Sequence, residues 1–484
     1  MIIRHTVIYG AARFIPGLAS LGLIAFVTRF LSPEDVGVYF LITATVLLAH
    51  GLTMVWFNMS VARFLQRSAD QTELLGNTLS LFGLVLILAT LAVMVAWAVI
   101  DDPLQRRFLL LGFAFYAALS WFELVCQVMA ARLEASRRLI YGVVRSLTAS
   151  GLGAGLAWFG FGVEGLVVGA MIGALVPGAY AYVLDWRSVA VRWNPSVIVE
   201  FCRFGLPLAL SFSMGAVSYA TDRFMVAAME NVAVLGLYVV GFELAQRVMM
   251  SVIQPVGAAA LPLVIETFEK RGAEAARTQL ETNCLLLLAV TSPALVGLVL
   301  VTPDFVQVAV GEEFRDMAIM VLPVIAVAQF VLGIQHHFID HSFHLGMKTG
   351  WHAIIGSVVV VTNLIANYLL IQVYGAVGAA YGTLIAAVVG VGLGAFLSRF
   401  SFRLPVPWGA IAGLVIANAA MAGAVILVDL PPSFLGLVVK GIMGALVYGV
   451  AVLTFNTLNV RTVILERARL ILARRRADAA SSAS

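Results

Sequence analysis

The 484-residue chain is 61% hydrophobic and only 12% charged, whereas a soluble globular protein carries about 25% charged residues. With a mean hydropathy of +0.99 and apolar runs of about 20 residues along its whole length, it is an integral membrane protein, counted in spans rather than soluble domains. The formal charge of +4 and pI near 9.0 do not signal nucleic acid, because most arginines lie in short links beside spans, where they set orientation.

Apolar runs bounded by charge, Pro or Gly predict about fourteen transmembrane helices, at 8–30, 36–58, 76–100, 107–130, 139–160, 163–185, 204–228, 234–257, 281–302, 317–339, 350–372, 376–398, 406–428 and 435–457. The first run follows Arg4 and continues to about Phe30, longer than a signal-peptide core, so it is read as a retained span. The fold class is an all-α polytopic membrane protein, since a membrane β-barrel requires strict alternation in segments of about ten residues. Cys126, Cys202 and Cys284 are scattered, without the spacing of a disulfide or metal site.

Lys and Arg are concentrated in the links on one side, including Arg63, Arg67, Arg132, Arg137, Arg138, Lys270 and Arg271. The other side receives Arg29, Arg106, Arg107 and Arg315. Both termini are therefore expected in the cytoplasm.

The chain also repeats itself. FGVEGLVVGAMIGA at 161–174 matches YGAVGAAYGTLIAA at 374–387, aligning Gly162, Gly165 and Gly169 with Gly375, Gly378 and Gly382. A weaker match pairs Arg29-Phe30 and Gly37-Val38-Tyr39 with Arg223-Phe224 and Gly236-Leu237-Tyr238. The smaller offset of this second match requires extra residues later in the second half, which the longer links at 265–280 and 303–316 supply. Two parallel six-helix bundles follow, at 1–185 and 204–399, joined by a cytoplasmic linker at 186–203. Two additional helices at 400–460 and a basic cytoplasmic tail at 461–484 complete the expected organisation. The tail reads as an interfacial helix running into small polar residues.

Charge inside an apolar span costs roughly 2.5–3.5 kcal/mol and marks function by default. The stretch from Thr221 to Val248 holds Asp222, Arg223, Glu243 and Arg247. Glu243 and Arg247 are four residues apart on one helical face, and serve either as an internal structural pair or as a cavity lining. Arg223 lies near a helix end, where it could instead snorkel to the headgroups. Arg13, Arg145, His50 and Glu123 add further polar groups within spans. Arg13, Arg145, Arg223, Arg247 and Lys440 against Glu123, Asp222 and Glu243 leave the interior slightly basic, which favours an anionic group such as phosphate. Lys440, on the last predicted span, is expected to snorkel outward.

Four of the seven histidines lie in HHFIDHSFH at 336–344. The i, i+4, i+7 spacing of His337, His341 and His344 is open to zinc or protonation, but a polar helix end facing anionic lipid is the plainer reading, and no metal is assigned. GLGAG at 151–155 and GVGLG at 390–394 read as helix-packing glycines, not phosphate loops. Pro207 and Pro255 fall within spans and are expected to kink them.

TRFLSPEDVGVYFLITATVLL, LGLYVVGFELAQRV, QPVGAAALP and the two YGAVGAAYG-type turns together resemble the polysaccharide transporter family. These are lipid-linked oligosaccharide flippases of the multidrug/oligosaccharidyl-lipid/polysaccharide exporter superfamily. The resemblance covers essentially the whole chain. It implies a bacterial inner-membrane flippase moving undecaprenyl-pyrophosphate-linked oligosaccharide from the cytoplasmic to the periplasmic leaflet by alternating access, for O-antigen, capsule or exopolysaccharide synthesis. It further implies a basic cavity formed by helices 1, 2, 7 and 8. Carried onto this chain, substrate contact falls on Arg13, His50, Arg223 and Arg247, and coupling or orientation on Asp222, Glu243 and Glu123. A proton or sodium ion is the implied coupling partner and a glycan polymerase an implied associate; no cofactor and no enzymatic activity are expected. A cation-coupled exporter of drugs or metabolites on the same scaffold is the alternative, although helix 1 lacks an obvious acidic cation site.

Overall fold

The computed structural model describes residues 2–68 and 70–455, with side chains placed from residue 15 onward except at 207–208, 210–212, 258–259 and 455. The basic tail and the side chain of Arg13 lie outside the described set. Among the described residues, seventeen α-helices follow in chain order: α1 (Ile2–Phe30), α2 (Pro33–Thr53), α3 (Val55–Leu65), α4 (Gln71–Val99), α5 (Pro103–Ala131), α6 (Ala135–Leu156), α7 (Gly162–Ala181), α8 (Pro195–Met229), α9 (Val232–Arg271), α10 (Ala273–Leu300), α11 (Thr302–Ala309), α12 (Arg315–Ile334), α13 (Asp340–Leu345), α14 (Trp351–Tyr374), α15 (Ala376–Ser398), α16 (Trp408–Ile426) and α17 (Phe434–Phe455). Strands are absent among the described residues.

Eleven helical stretches among the described residues are long and apolar enough to cross a membrane, with Ile15–Phe30 as a shorter apolar segment. The chain is a multi-pass membrane protein of the all-α class, for which about fourteen spans is an approximate count. One of the eleven, Ala135–Trp186, is 52 residues long and divides into α6 and α7 where Gly160 and Gly162 take φ of 91° and 49°.

Local sequence explains the helix starts. Ser32-Pro33, Asp102-Pro103 and Asn194-Pro195 place a capping oxygen before a proline that needs no N–H partner. The three side chains accept from the backbone N–H groups of Asp35, Leu104 and Ser196 at 3.2, 2.8 and 3.2 Å. Asp70 caps α4 in the same way, accepting from Thr72 and Glu73 at 2.9 and 3.0 Å.

Two expected links prove helical. The segment 265–280 continues α9 to Arg271 and resumes as α10 at Ala273, broken only at Gly272 with φ 82°. Exposed pairs such as Glu266–Lys270 at 2.7 Å and Glu274–Arg277 at 3.1 Å support these helical turns. The segment 303–316 is mostly α11 and a 3₁₀ turn at Glu312–Phe314. Pro255 and Pro262 are accommodated inside the continuous α9, whereas the predicted span 36–58 divides at Met54 into α2 and α3.

The sequence repeat has a structural counterpart. Gly162 and Gly375, aligned at the paired turns, both have positive φ, 49° and 60°. Gly169 lies against the backbone of α6, where an added Cβ would come within 2.9 Å of the Ala149 oxygen, while Gly155 has nothing within 4 Å. Gly169→Val is therefore expected to cost about 1–3 kcal/mol by overpacking, whereas Gly155→Ala should be neutral or stabilising by up to about 1 kcal/mol. Thermal melting in detergent checks both.

The chain forms two compact units. The first holds residues 1–247, 309–325 and 352–390. Its core gathers Phe57, Leu119, Leu124, Val167, Trp186 and Phe201, with Phe64 stacked on Phe201 at 5.5 Å. The second holds, among the described residues, 248–308, 326–351 and 391–455. There α10, α16 and α17 pack through Ala289, Leu414, Ala417 and Val452. Asn418 donates to Ser292 at 2.9 Å and Tyr448 to the Ala289 carbonyl at 2.8 Å. Lys440 does not snorkel outward, because Asp304 of α11 receives its ammonium at 2.5 Å, with the lysine side chain 13% exposed.

Candidate functional site

Within the first unit, α8 and α9 form an antiparallel pair whose facing charges assemble one network. Glu243 is its hub, buried on α9. Its Oε1 accepts from the Tyr219 hydroxyl at 2.8 Å and from Arg223 Nη2 at 3.2 Å, and its Oε2 lies 2.9 Å from Arg247 Nη2. Two guanidiniums against one carboxylate leave this triad with a formal charge of +1.

Arg223 does not snorkel: it is fully buried. It donates to the Tyr219 carbonyl at 3.0 Å, and its guanidinium lies 3.5 Å from the Tyr219 ring centroid and 4.0 Å from that of Phe242. The two π faces replace part of the lost hydration. Its Nε has no hydrogen-bond partner. The side chain of Arg247 is 32% exposed and lines a cleft with Ser20, Ile24 and Thr28 of α1 and Tyr39 of α2. Its Nε also lacks a partner. Arg247 thus offers the triad's accessible donors, while Arg223 holds the carboxylate from behind.

Asp222 adjoins Arg223 but belongs to a second network. Its Oδ1 accepts from Asn363 and Asn367 of α14 at 3.1 and 2.7 Å, and its Oδ2 from Thr383 of α15 at 2.7 Å and Tyr238 at 3.5 Å. The carboxylate is buried, all four donors are neutral, and Asn367 Oδ1 is buried without a partner. Which end of each amide faces the carboxylate is set by this hydrogen-bond network. With the amides turned over, the carbonyl oxygens of Asn363 and Asn367 would join Asp222 and Thr383 in a set of hard oxygen donors suited to an alkali cation or proton.

The remaining sequence candidates form other contacts. His50 Nδ1 is 3.1 Å from the Ser120 hydroxyl, and Glu123 pairs with Arg145 at 3.2 Å, beneath which the Phe122 ring centroid lies at 4.9 Å. Hydrogen bonds joining His50 or Glu123 to the Arg223–Glu243–Arg247 triad are absent among the described residues. The histidine segment forms a π turn at Gln335–Ile339. Gln335 and His336 there contact Asp340 at 2.6 and 3.1 Å, while His341 is buried with Nδ1 unpartnered.

Tyr219, Asn363, Asn367 and Thr383 were not among the sequence candidates. An Asn pair four residues apart inside an apolar span was the available signal, because buried amides require partners.

Comparison with known proteins places the chain. A family profile described as polysaccharide biosynthesis protein matches residues 26–319. A Haloferax volcanii protein, described as the probable low-salt glycan biosynthesis flippase Agl15, is 24% identical over 425 residues, spanning 84% of this chain and 85% of its own length. The lipid II flippase MurJ in an inward closed conformation shares the fold with a TM-score of 0.77 at 15% identity, covering 96% of this chain and 100% of that one. An inward-facing multidrug resistance MATE family transporter of the MOP superfamily gives 0.58 at 16% identity, over 80% and 94%.

Proposed function

The chain belongs to the polysaccharide biosynthesis protein family, and on that premise we propose that it is a flippase for a lipid-linked glycan, acting by transport rather than by catalysis. The finer reading is a polyprenyl-pyrophosphate-linked oligosaccharide, moved from the cytoplasmic to the periplasmic leaflet of a bacterial inner membrane, with both termini cytoplasmic. The observation that carries it is the triad of Arg223, Glu243 and Arg247, whose partly exposed arginine faces an otherwise uncharged cleft. A guanidinium fork bonds two oxygens of a phosphate at once. Glu243, itself held by the Tyr219 hydroxyl, fixes that fork in place before the ligand arrives.

Asp222, with Asn363, Asn367 and Thr383, is the proposed site of the coupling cation. Its position one residue from Arg223 places the two charges on the same helix, so occupancy at one alters the field at the other. Arg13 and His50 remain proposed cavity residues, and Glu123, paired to Arg145, a proposed orienting carboxylate. Rocking of the two halves would present the cleft alternately, and ligand drives this only by binding the two states unequally.

The test uses proteoliposomes bearing a fluorescent polyprenyl-pyrophosphate oligosaccharide on one leaflet. Exchange that depends on the protein supports the reading. Absence of exchange with several glycans and ion gradients, in a folded sample, removes it. The Asp222 cluster also suits a cation-coupled exporter of the MATE type. Ion-driven efflux of an organic cation from the same vesicles, without lipid exchange, would favour that second reading.

A further inference from the structure

Two close helix contacts in the first unit are reciprocal. Gly37 is the fifth residue of α2, Gly236 the fifth of α9, and both are buried. A Cβ added to Gly37 would overlap the carbonyl oxygen of Val232, four residues before Gly236. A Cβ added to Gly236 would overlap the carbonyl oxygen of Pro33, four residues before Gly37, and would lie 2.9 Å from the Gly37 nitrogen. Residue i meets j − 4 while j meets i − 4, the mark of a two-fold contact. These are the glycines that the repeat aligns, in Gly37-Val38-Tyr39 and Gly236-Leu237-Tyr238. Related segments of the two repeats thus meet each other at close backbone approach, in the manner of small residues at membrane helix crossings.

A second seam lies beside the first. Gly311, just before α12, approaches the Thr28 carbonyl so closely that a Cβ would overlap it. Its N–H donates to Thr28 Oγ1 at 3.1 Å, and Arg29 Nη1 reaches the Ala309 carbonyl at 3.4 Å. The end of α1, the starts of α2 and α9 and the turn before α12 thus meet at the end of the 29-residue α1 opposite its N-terminus.

We propose that the Gly37–Gly236 contact, supported by the Gly311–Thr28 seam, is the gate that closes the transport path on the side opposite the N-terminus. The proposal rests on the alternating-access reading above. Glu243 and Arg247 follow Gly236 by seven and eleven residues on α9, about 10 and 16 Å along the helix. The charged triad therefore begins just inside the seam, and opening the seam would expose it from that side. Backbone-to-backbone contact suits such a gate, because it has no side chain to compress and is either seated or apart.

The test uses the full chain in proteoliposomes, with the three native cysteines replaced and Ser20→Cys as a cleft reporter toward a membrane-impermeant thiol reagent applied opposite the N-terminus. Gly37→Val and Gly236→Val should each raise labelling by about tenfold, since the added methyls cannot be seated in the closed state. Gly22→Val, at a position with nothing within 4 Å, should not. Unchanged labelling in folded Gly37 and Gly236 variants overturns the gate.

Should those variants fail to fold, the intact glycines are tested by Val232→Cys, which must be about tenfold less reactive than the exposed Asn231→Cys and become reactive during turnover. Equal reactivity at rest, or constant protection while lipid exchange proceeds, overturns the proposal. A labelling response without lipid exchange in any sample would instead remove the flippase reading and leave the gate standing.

Discussion

Replacing Arg223 with alanine is expected to lower stability by about 3 kcal/mol and abolish glycan exchange, whereas Arg247→Ala should abolish exchange with a stability change within about 1 kcal/mol. The difference follows from burial. Arg223 is fully enclosed, stacked against two aromatic rings and bonded to Glu243. Breaking a buried pair costs about 3–5 kcal/mol, and the lower end applies because Glu243 keeps Arg247 and the Tyr219 hydroxyl. Removing Arg247, whose side chain is one-third exposed, leaves the buried Glu243 bonded to Arg223 and to the Tyr219 hydroxyl, so no buried charge is left unpaired and the loss is that of one net hydrogen bond, about 1 kcal/mol. Thermal melting and leaflet exchange, measured on the same samples, separate the two effects. Normal exchange by a folded Arg247→Ala protein would make the triad structural and place the phosphate contact elsewhere. Arg223→Lys should rescue part of the stability, since the charge remains but the planar fork is lost.

The second large effect concerns Asp222. In the wild-type protein, the coupling cation at about 100 times its Kd should raise stability by about 2.7 kcal/mol, seen as a rise in melting temperature on titration with sodium, or with protons as pH falls. Asp222→Asn preserves size and one acceptor oxygen, replaces the other with an amide donor that the Thr383 and Tyr238 hydroxyls can accept by rotating, and removes the charge, so it should eliminate that response and the dependence of exchange on an ion gradient. Asn367→Ala should weaken the same response by about tenfold, within the usual range of coupling between sites, because its amide lies 2.7 Å from the carboxylate. An Asp222→Asn protein that still answers to the ion as wild type does would reduce this cluster to a structural tie between α8, α14 and α15.

The sequence disclosed these two networks unequally, for physical reasons. Glu243 and Arg247 are one helical turn apart, so their pairing follows from local geometry. Arg223 was readable as a buried charge, but the choice between snorkelling and burial depended on aromatic neighbours that only the folded α8–α9 pair reveals. Three of the four partners of Asp222 lie 141, 145 and 161 positions away, are uncharged, and sit in helices whose composition is otherwise ordinary for a membrane span. Span positions were legible because hydrocarbon imposes length and apolarity on every crossing. The helical continuation at 265–280 was not, because a helix leaving the bilayer trades apolar residues for charged ones that resemble a link.

One consequence lies in the angular positions along α9. Gly236, Glu243 and Arg247 are separated by seven and four residues, close to two turns and one turn. At about 100° per residue they fall within roughly 40° of a common line along the helix surface. A rigid rod bearing the seam contact and the ligand-facing charges on one edge behaves as a cam. Any roll of α9 that lifts its glycine from α2 also swings Arg247 through the same angle, so access and grip share one mechanical coordinate without needing a separate relay between them.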